Sequence, residues 1–227
     1  MQLCIALDLP SAKENLELIE KIKKYDVWLK VGLRSYIRDG EEFLKAIKKI
    51  NPDFKIFLDL KLYDIPNTMA DAAESIMNLN VDMFNVHASA GKRAMQEVMQ
   101  RLQKYDNRPI VLAVTALTSF SEDEFRDVYN ETIATKADCF AKDALESGLD
   151  GVVCSAFESK SIKLKTSNDF MTLAPGIRPF GEDAGDQKRV ADIQKAKDEM
   201  VDFIVVGRPI YNSKNPQDVV AKILENI

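Results

Sequence analysis

The chain has 227 residues, 46% hydrophobic and 30% charged, with a net charge of −5 at neutral pH, which suits one large globular domain. With 31 Lys and Arg against 36 Asp and Glu, it has no basic excess to attract nucleic acid, so that class of partner is set aside. One histidine, His87, excludes a multi-histidine metal centre, and three widely spaced cysteines (Cys4, Cys139, Cys154) form neither a disulfide framework nor a zinc pattern.

The opening run MQLCIALDLPS is short and lacks the basic start of a secretion signal. No apolar stretch reaches the length of a membrane span, so a cytoplasmic protein with no membrane partner is expected. LCIAL (3–7) reads as a strand and SAKENLELIEKIKKY (11–25) as a helix, with Leu16, Ile19 and Ile22 at helical spacing. Strand VWLKV (27–31) precedes helix GEEFLKAIKKI (40–50), and strand KIFLDL (55–60) precedes helix NTMADAAESIMNL (67–79). Strand DMFNVH (82–87) leads to helix KRAMQEVMQRLQKY (92–105). After strand IVLAVT (110–115), the stretch 116–150 holds two helical pieces, EDEFRDVYN and TKADCFAKDALES. Strands GVVCS (151–155), FMTLAP (170–175) and DFIVVG (202–207) follow, and PQDVVAKILENI ends the chain with Pro216 at a helix start. The strands are continuously apolar, as parallel strands covered on both faces are. Eight such units in a chain of this length predict an α/β fold, a (β/α)8 TIM barrel forming a single domain over residues 1–227. A doubly wound open sheet is the alternative, but no G-x-G-x-x-G follows the first strand.

A barrel puts its chemistry at the C-terminal ends of the strands, and polar residues gather there. Asp8 ends the first strand and Lys30 lies near the end of the second. Asp59 and Lys61 end the third, with Asp64 just beyond. Residues i and i+2 of a strand share a face, so Asp59 and Lys61 are expected to point together into the mouth beside Lys30. Alternating signs along Lys30, Asp59, Lys61 and Asp64 let all four stay ionised. The competing reading is structural: a buried ion pair, a snorkelling Lys30, and Asp64 or Asn67 as a helix cap. Mg²⁺ on Asp59 and Asp64 is a further option, opposed by the lysine between them. His87 ends the fourth strand, as an acid or base or as a satisfied structural group; Cys154 and Ser155, at the end of the sixth, have no histidine partner in their motif for nucleophilic catalysis. In VGRPI (206–210), Gly207 permits close backbone approach, and exposed N–H groups with the Arg208 guanidinium suit a phosphate. The glycine-bearing loop PGIRPFGEDAGDQKR (175–189) reads as a lid over that ligand.

Taken in order, ALDLPS, LKVG, FLDLKLYDIPNT, VHAS, LTS, PGIRP…DAGDQKR and VGRPI resemble the orotidine 5′-phosphate decarboxylase family over essentially the whole chain. The resemblance implies decarboxylation of orotidine 5′-monophosphate to UMP and CO₂ without any cofactor, in de novo pyrimidine synthesis. It implies a homodimer with sites at the subunit interface, to which the partner chain supplies Asp64 and Thr68. Lys61 would donate the proton to C6, Asp59 would lie against the departing carboxylate, and Lys30 would join the charge network and contact the ribose. Asp8 would bind a ribose hydroxyl, and Thr118 and Ser119 would hold the base. Arg178, Gln187, Gly207 and Arg208 would grip the phosphate, with the loop between Arg178 and Gln187 closing over it. A Mg²⁺-dependent sugar-phosphate enzyme of the same barrel type and a non-catalytic phospho-ligand-binding barrel are the rival readings.

Overall fold

Eight parallel strands pair in chain order, and the eighth bonds to the first, so the sheet closes into a barrel. The structure is a computed structural model and describes residues 1–183, 185 and 188–227. The strands are β1 (Gln2–Ala6), β2 (Trp28–Gly32), β3 (Lys55–Leu62), β4 (Met83–His87), β5 (Ile110–Val114), β6 (Gly151–Val153), β7 (Met171–Ala174) and β8 (Phe203–Val206). The helices are α1 (Ala12–Ile22), α2 (Leu33–Ile50), α3 (Pro66–Ile76), α4 (Lys92–Leu102), α5 (Glu122–Tyr129), α6 (Ile133–Glu146), α7 (Ala156–Lys165), α8 (Ile193–Asp198), α9 (Arg208–Tyr211) and α10 (Pro216–Glu225). This is the expected (β/α)8 barrel, and each predicted strand run coincides with an observed strand to within a few residues.

Successive strand side chains face opposite ways, so every strand feeds two cores. Ile5, Leu29, Val31, Ile56 and Leu58 pack outward among the helices. Cys4, Ala6, Trp28, Phe57, Met83, Leu112, Val153, Leu173 and Phe203 fill the barrel interior, where the Trp28 and Phe203 rings meet edge to face at 5.4 Å. One interior step further toward the C-terminal ends, the residues turn polar: Asp8 after Ala6, Lys30 after Trp28, Asp59 after Phe57 and Asn85 after Met83. The apolar layers below supply a dry floor for that polar layer.

At the opposite end, three aspartates repeat one contact. Asp82, Asp150 and Asp202 accept the backbone N–H of Ile56, Val111 and Thr172 at 2.8, 2.7 and 2.8 Å. Lys48, Arg108 and Lys163 neutralise them in the same order.

Some helices differ from expectation. α2 begins at Leu33 rather than residue 40 and is broken at Gly40, whose backbone (φ 60°, ψ −155°) is not helical. Leu33 and Ile37 in its first half are exposed, so they gave no core-facing stripe to recognise. α7 and α8 lie outside the predicted helices. α7 buries Glu158 and Lys163 while exposing Phe157 and Leu164, which removes the apolar periodicity that marks a surface helix.

Candidate active site

The polar layer is a row of alternating charge. Lys30 Nζ lies 3.4 Å from both Asp8 carboxylate oxygens and 3.4 Å from Asp59 Oδ2. Lys61 Nζ lies 2.6 Å from Asp59 Oδ1. Strand register sets this up, since Ala6 pairs with Lys30 and Gly32 with Asp59. A Cβ at Gly32 would stand 3.0 Å from Lys30 Nζ and 3.2 Å from the Asp8 carboxylate; its absence leaves the ammonium room between its two acids.

Burial and charge pull in opposite directions here. Burial pushes the Asp59 carboxyl up, but the ammonium groups of Lys30 and Lys61, with hydrogen bonds from Lys61 and Asn85, hold it below the usual carboxylate range. Burial likewise pushes Lys30 down, and Asp59 and Asp8 raise it above its ordinary value. Both groups are therefore charged at neutral pH, and in this partly buried mouth such charges interact more strongly than they would in bulk water.

Lys61 reaches Asp59 by a different route from the one the strand pattern suggests. Its φ is 55°, the left-handed region that side chains other than glycine rarely occupy, and the β3–β4 register shifts between Leu58 and Leu62. The two side chains converge through this irregularity, not through an even pleat. Asn85 holds it in place: its Oδ1 accepts the Lys61 N–H at 2.7 Å and its Nδ2 donates to Asp59 Oδ1 at 2.8 Å. Sequence reasoning missed Asn85: its place in the apolar run DMFNVH was visible, but its full burial and its two partners appear only in the fold.

Lys30, Asp59 and Lys61 border a cavity of about 290 Å³ that also takes in Asp8, Thr118, Ser119, Arg178, Gly207 and Arg208. Nine predicted site residues thus share one space. Thr118 and Ser119 form its wall after β5. Arg178 and Arg208, after β7 and β8, line it as well, joined by Tyr211, which the sequence reading passed over. Arg178 Nε donates to the Asp183 carbonyl at 2.7 Å, which anchors its guanidinium to its own loop. A Cβ at Gly185 would fall 2.1 Å from Arg208 Nη1, and the backbone there is left-handed (φ 64°), so a side chain would be strained and would make the Arg208 guanidinium shift. Gln187 lies outside the described residues.

Asp64 and Thr68 stand apart from the cavity. Both are exposed, and Asp64 Oδ1 accepts the backbone N–H of Ile65 at 2.6 Å. Among the described residues no ion pair joins Asp64 to Lys61, so within one chain the row is Asp8, Lys30, Asp59 and Lys61. His87 stacks on Tyr63 at 5.7 Å and accepts the Ser89 N–H through Nδ1 at 3.2 Å. Burial, with Lys61 nearby, lowers its pKa, so it is a neutral cap on the short turn after β4. Cys154 is buried and its thiol is pushed up to about 12 by that burial, which leaves it unreactive.

A family model described as orotidine 5′-phosphate decarboxylase / HUMPS matches residues 1–223. The chain is 78% identical to an orotidine 5′-phosphate decarboxylase of Sulfurimonas denitrificans and 70% identical to one of Nitratiruptor, covering all of each protein. Among solved structures, orotidine 5′-phosphate decarboxylase from Lactobacillus acidophilus superposes with a TM-score of 0.85 at 32% identity, over 99% of this chain and 98% of that one.

Proposed function

The chain belongs to the orotidine 5′-phosphate decarboxylase / HUMPS family, and from that premise we propose how its charged row converts orotidine 5′-monophosphate to UMP and CO₂ in pyrimidine biosynthesis. The phosphate lies at the arginine end of the cavity, held by Arg178, Arg208, the backbone at Gly207, and Gln187. The pyrimidine rests against Thr118 and Ser119, and the ribose hydroxyls meet Asp8 and Lys30. C6 then faces Lys61, and its carboxylate faces Asp59. As the C6–carboxylate bond breaks, CO₂ leaves and the electron pair stays on C6. The Lys61 ammonium stabilises that charge and passes its proton to C6, giving UMP and a neutral amine that regains a proton from water. No cofactor takes part.

The observation that carries this reading is the Lys61 ammonium, paired with Asp59 at 2.6 Å and opening on the same cavity as Arg178 and Arg208. A Mg²⁺-dependent sugar-phosphate reaction with the ion on Asp59 and Asp64 is less well served, because Asp59 is already held by Lys30 and Lys61 and Asp64 is exposed, outside the cavity. A barrel that only bound phospho-ligands would have no use for Lys61 in its left-handed backbone.

The functional unit is a homodimer of two single-domain barrels spanning residues 1–227. Leu33, Ile37, Tyr63 and Ile65 are between 53% and 75% exposed and follow adjacent strands beside Asp64. An apolar patch of this kind marks an association surface, and pairing there would carry Asp64 and Thr68 toward the partner's Lys61. No described helix is long and apolar enough to cross a membrane, and three free thiols suit a reducing cytoplasm.

The test is the loss of orotidine 5′-monophosphate absorbance by purified protein with a chelator present. Lys61→Ala should lower turnover by at least about 10²–10⁴-fold, the usual worth of a positioned proton donor, with the circular dichroism spectrum unchanged. A Lys61→Ala variant that turns over like wild type would sink the mechanism, and abolition of wild-type activity by chelator would favour the Mg²⁺ reading.

A further inference from the structure

The loop after β7 returns to the barrel through Lys188 and Arg189, and one guanidinium there joins three loops. Arg189 Nη1 forms an ion pair with Glu158 Oε1. Arg189 Nη2 donates to the Leu117 carbonyl at 3.2 Å and the Ala116 carbonyl at 3.4 Å. Glu158 uses its other oxygen to accept the Ser155 N–H at 2.9 Å, at the start of α7. The segments after β5, β6 and β7 therefore meet on Arg189. Alongside it, the Lys188 N–H donates to the Thr118 carbonyl at 3.3 Å, and Lys188 Nζ pairs with Glu124 at 2.8 Å.

The same short segment is also tied to the arginine end. Arg178 donates its N–H to the Ala191 carbonyl at 2.8 Å, and Ala191 donates to the Gly176 carbonyl at 3.3 Å. Arg189 thus stands between the strand-like pairing that carries Arg178 and the carbonyls just before Thr118 and Ser119. Its side chain is only 17% exposed and that of Glu158 only 9%. A buried ion pair is a poor way to add stability, and apolar residues of similar size would often serve as well. A rigid fork that bonds an acid and two carbonyls at once is, by contrast, something only arginine provides.

We propose that Arg189 is a positioning residue: through Glu158 and the Ala116 and Leu117 carbonyls, it makes the placement of Thr118 and Ser119 against the base depend on the loop that binds the phosphate. This rests on the assignment of Arg178 to the phosphate and of Thr118 and Ser119 to the base. Binding energy from the remote phosphate then serves the reacting end of the substrate through this junction. The contribution is felt only when a phosphate is present to hold the loop.

Two substrates separate this from a general structural role. Arg189→Ala should lower kcat/KM for orotidine 5′-monophosphate on the order of tenfold to a hundredfold, mainly in kcat, as small misplacements do. Its kcat/KM for the phosphate-free nucleoside orotidine should stay within about twofold, because that substrate never engages the coupling. Glu158→Gln should shift the ratio of the two in the same direction, and the double variant should add little to Arg189→Ala alone. Equal losses on both substrates, or no loss on either, would overturn the proposal. If Arg189→Ala does not fold, Arg189→Lys, which keeps the charge and loses the fork, is judged by the same ratio. Arg178→Ala serves as the control for the phosphate end. If its ratio also stays at the wild-type value, the site assignment fails and this proposal with it; if it drops while that of Arg189→Ala does not, the coupling role alone fails.

Discussion

Asn85 shows how much one neutral side chain can decide in a charged site. It is fully buried; its amide oxygen accepts the Lys61 N–H, which would otherwise lie unpaired, and its amide nitrogen adds a further donor to Asp59 Oδ1, already paired with Lys61. Left-handed backbone at a non-glycine residue costs about 1–3 kcal/mol and persists only where its surroundings impose it. Asn85 is what imposes it at Lys61. Asn85→Ala should therefore destabilise the fold by about 1–3 kcal/mol, the cost of orphaned buried groups, and should also lower kcat by about tenfold or more as Lys61 relaxes. Urea denaturation and steady-state kinetics on one preparation check both, and an unchanged kcat would show that Lys61 keeps its place unaided. Asp59 and Lys61 were legible in the sequence because charges inside an apolar run stand out. Asn85 was not, because its role depends on β3–β4 register and on a backbone irregularity that a period of two does not reveal.

At the scale of elements, the strands were readable because burial on both faces writes itself as an uninterrupted apolar run. Helices were readable only where one face met the core: α1, α4 and α10 have that stripe, whereas α7 mixes buried charge with exposed Phe157 and Leu164. Two of the three basal aspartates, Asp82 and Asp202, were visible as the first residues of DMFNVH and DFIVVG, with nothing in the pattern to disclose their partners. Asp202 shows what they do. Its carboxylate accepts from the Thr172 N–H, the Thr172 hydroxyl and Lys163 Nζ, and the Lys163 side chain is only 3% exposed. β7, β8 and α7 are thus locked together at the end of the barrel away from the cavity. Asp202→Ala leaves the buried Lys163 ammonium with only the Asn168 and Phe170 carbonyls, and because the Asp202 side chain is itself 38% exposed the loss should be about 1–3 kcal/mol of stability. Well below the melting temperature, kcat/KM should stay within about twofold of wild type, because the active site sits at the other face. Thermal denaturation alongside kinetics tests the division, and a large loss of activity in still-folded protein would break it.

At the scale of the whole molecule, Asp64 and Thr68 stand outside the cavity of one chain, and Leu33, Ile37, Tyr63 and Ile65, which follow β2 and β3, are exposed. If two barrels pair through that surface, each site takes Lys61 from one chain and Asp64 from the other. Lys61→Ala and Asp64→Ala should each abolish most activity on their own, the second by on the order of 10²-fold for loss of an electrostatic group beside the reacting atoms. Co-expression of the two variants should nevertheless restore activity. With equal amounts and random pairing, half of the dimers are hybrids. In each hybrid one site carries both substitutions and the other carries neither, so about a quarter of wild-type activity should return. If Asp64 served the site of its own chain, each hybrid site would carry one substitution and nothing would return. The hybrid is isolated with two affinity tags, and its turnover of orotidine 5′-monophosphate is compared with that of each parent. Activity no greater than the parents' would assign Asp64 to its own barrel and leave the exposed apolar patch without a catalytic reason.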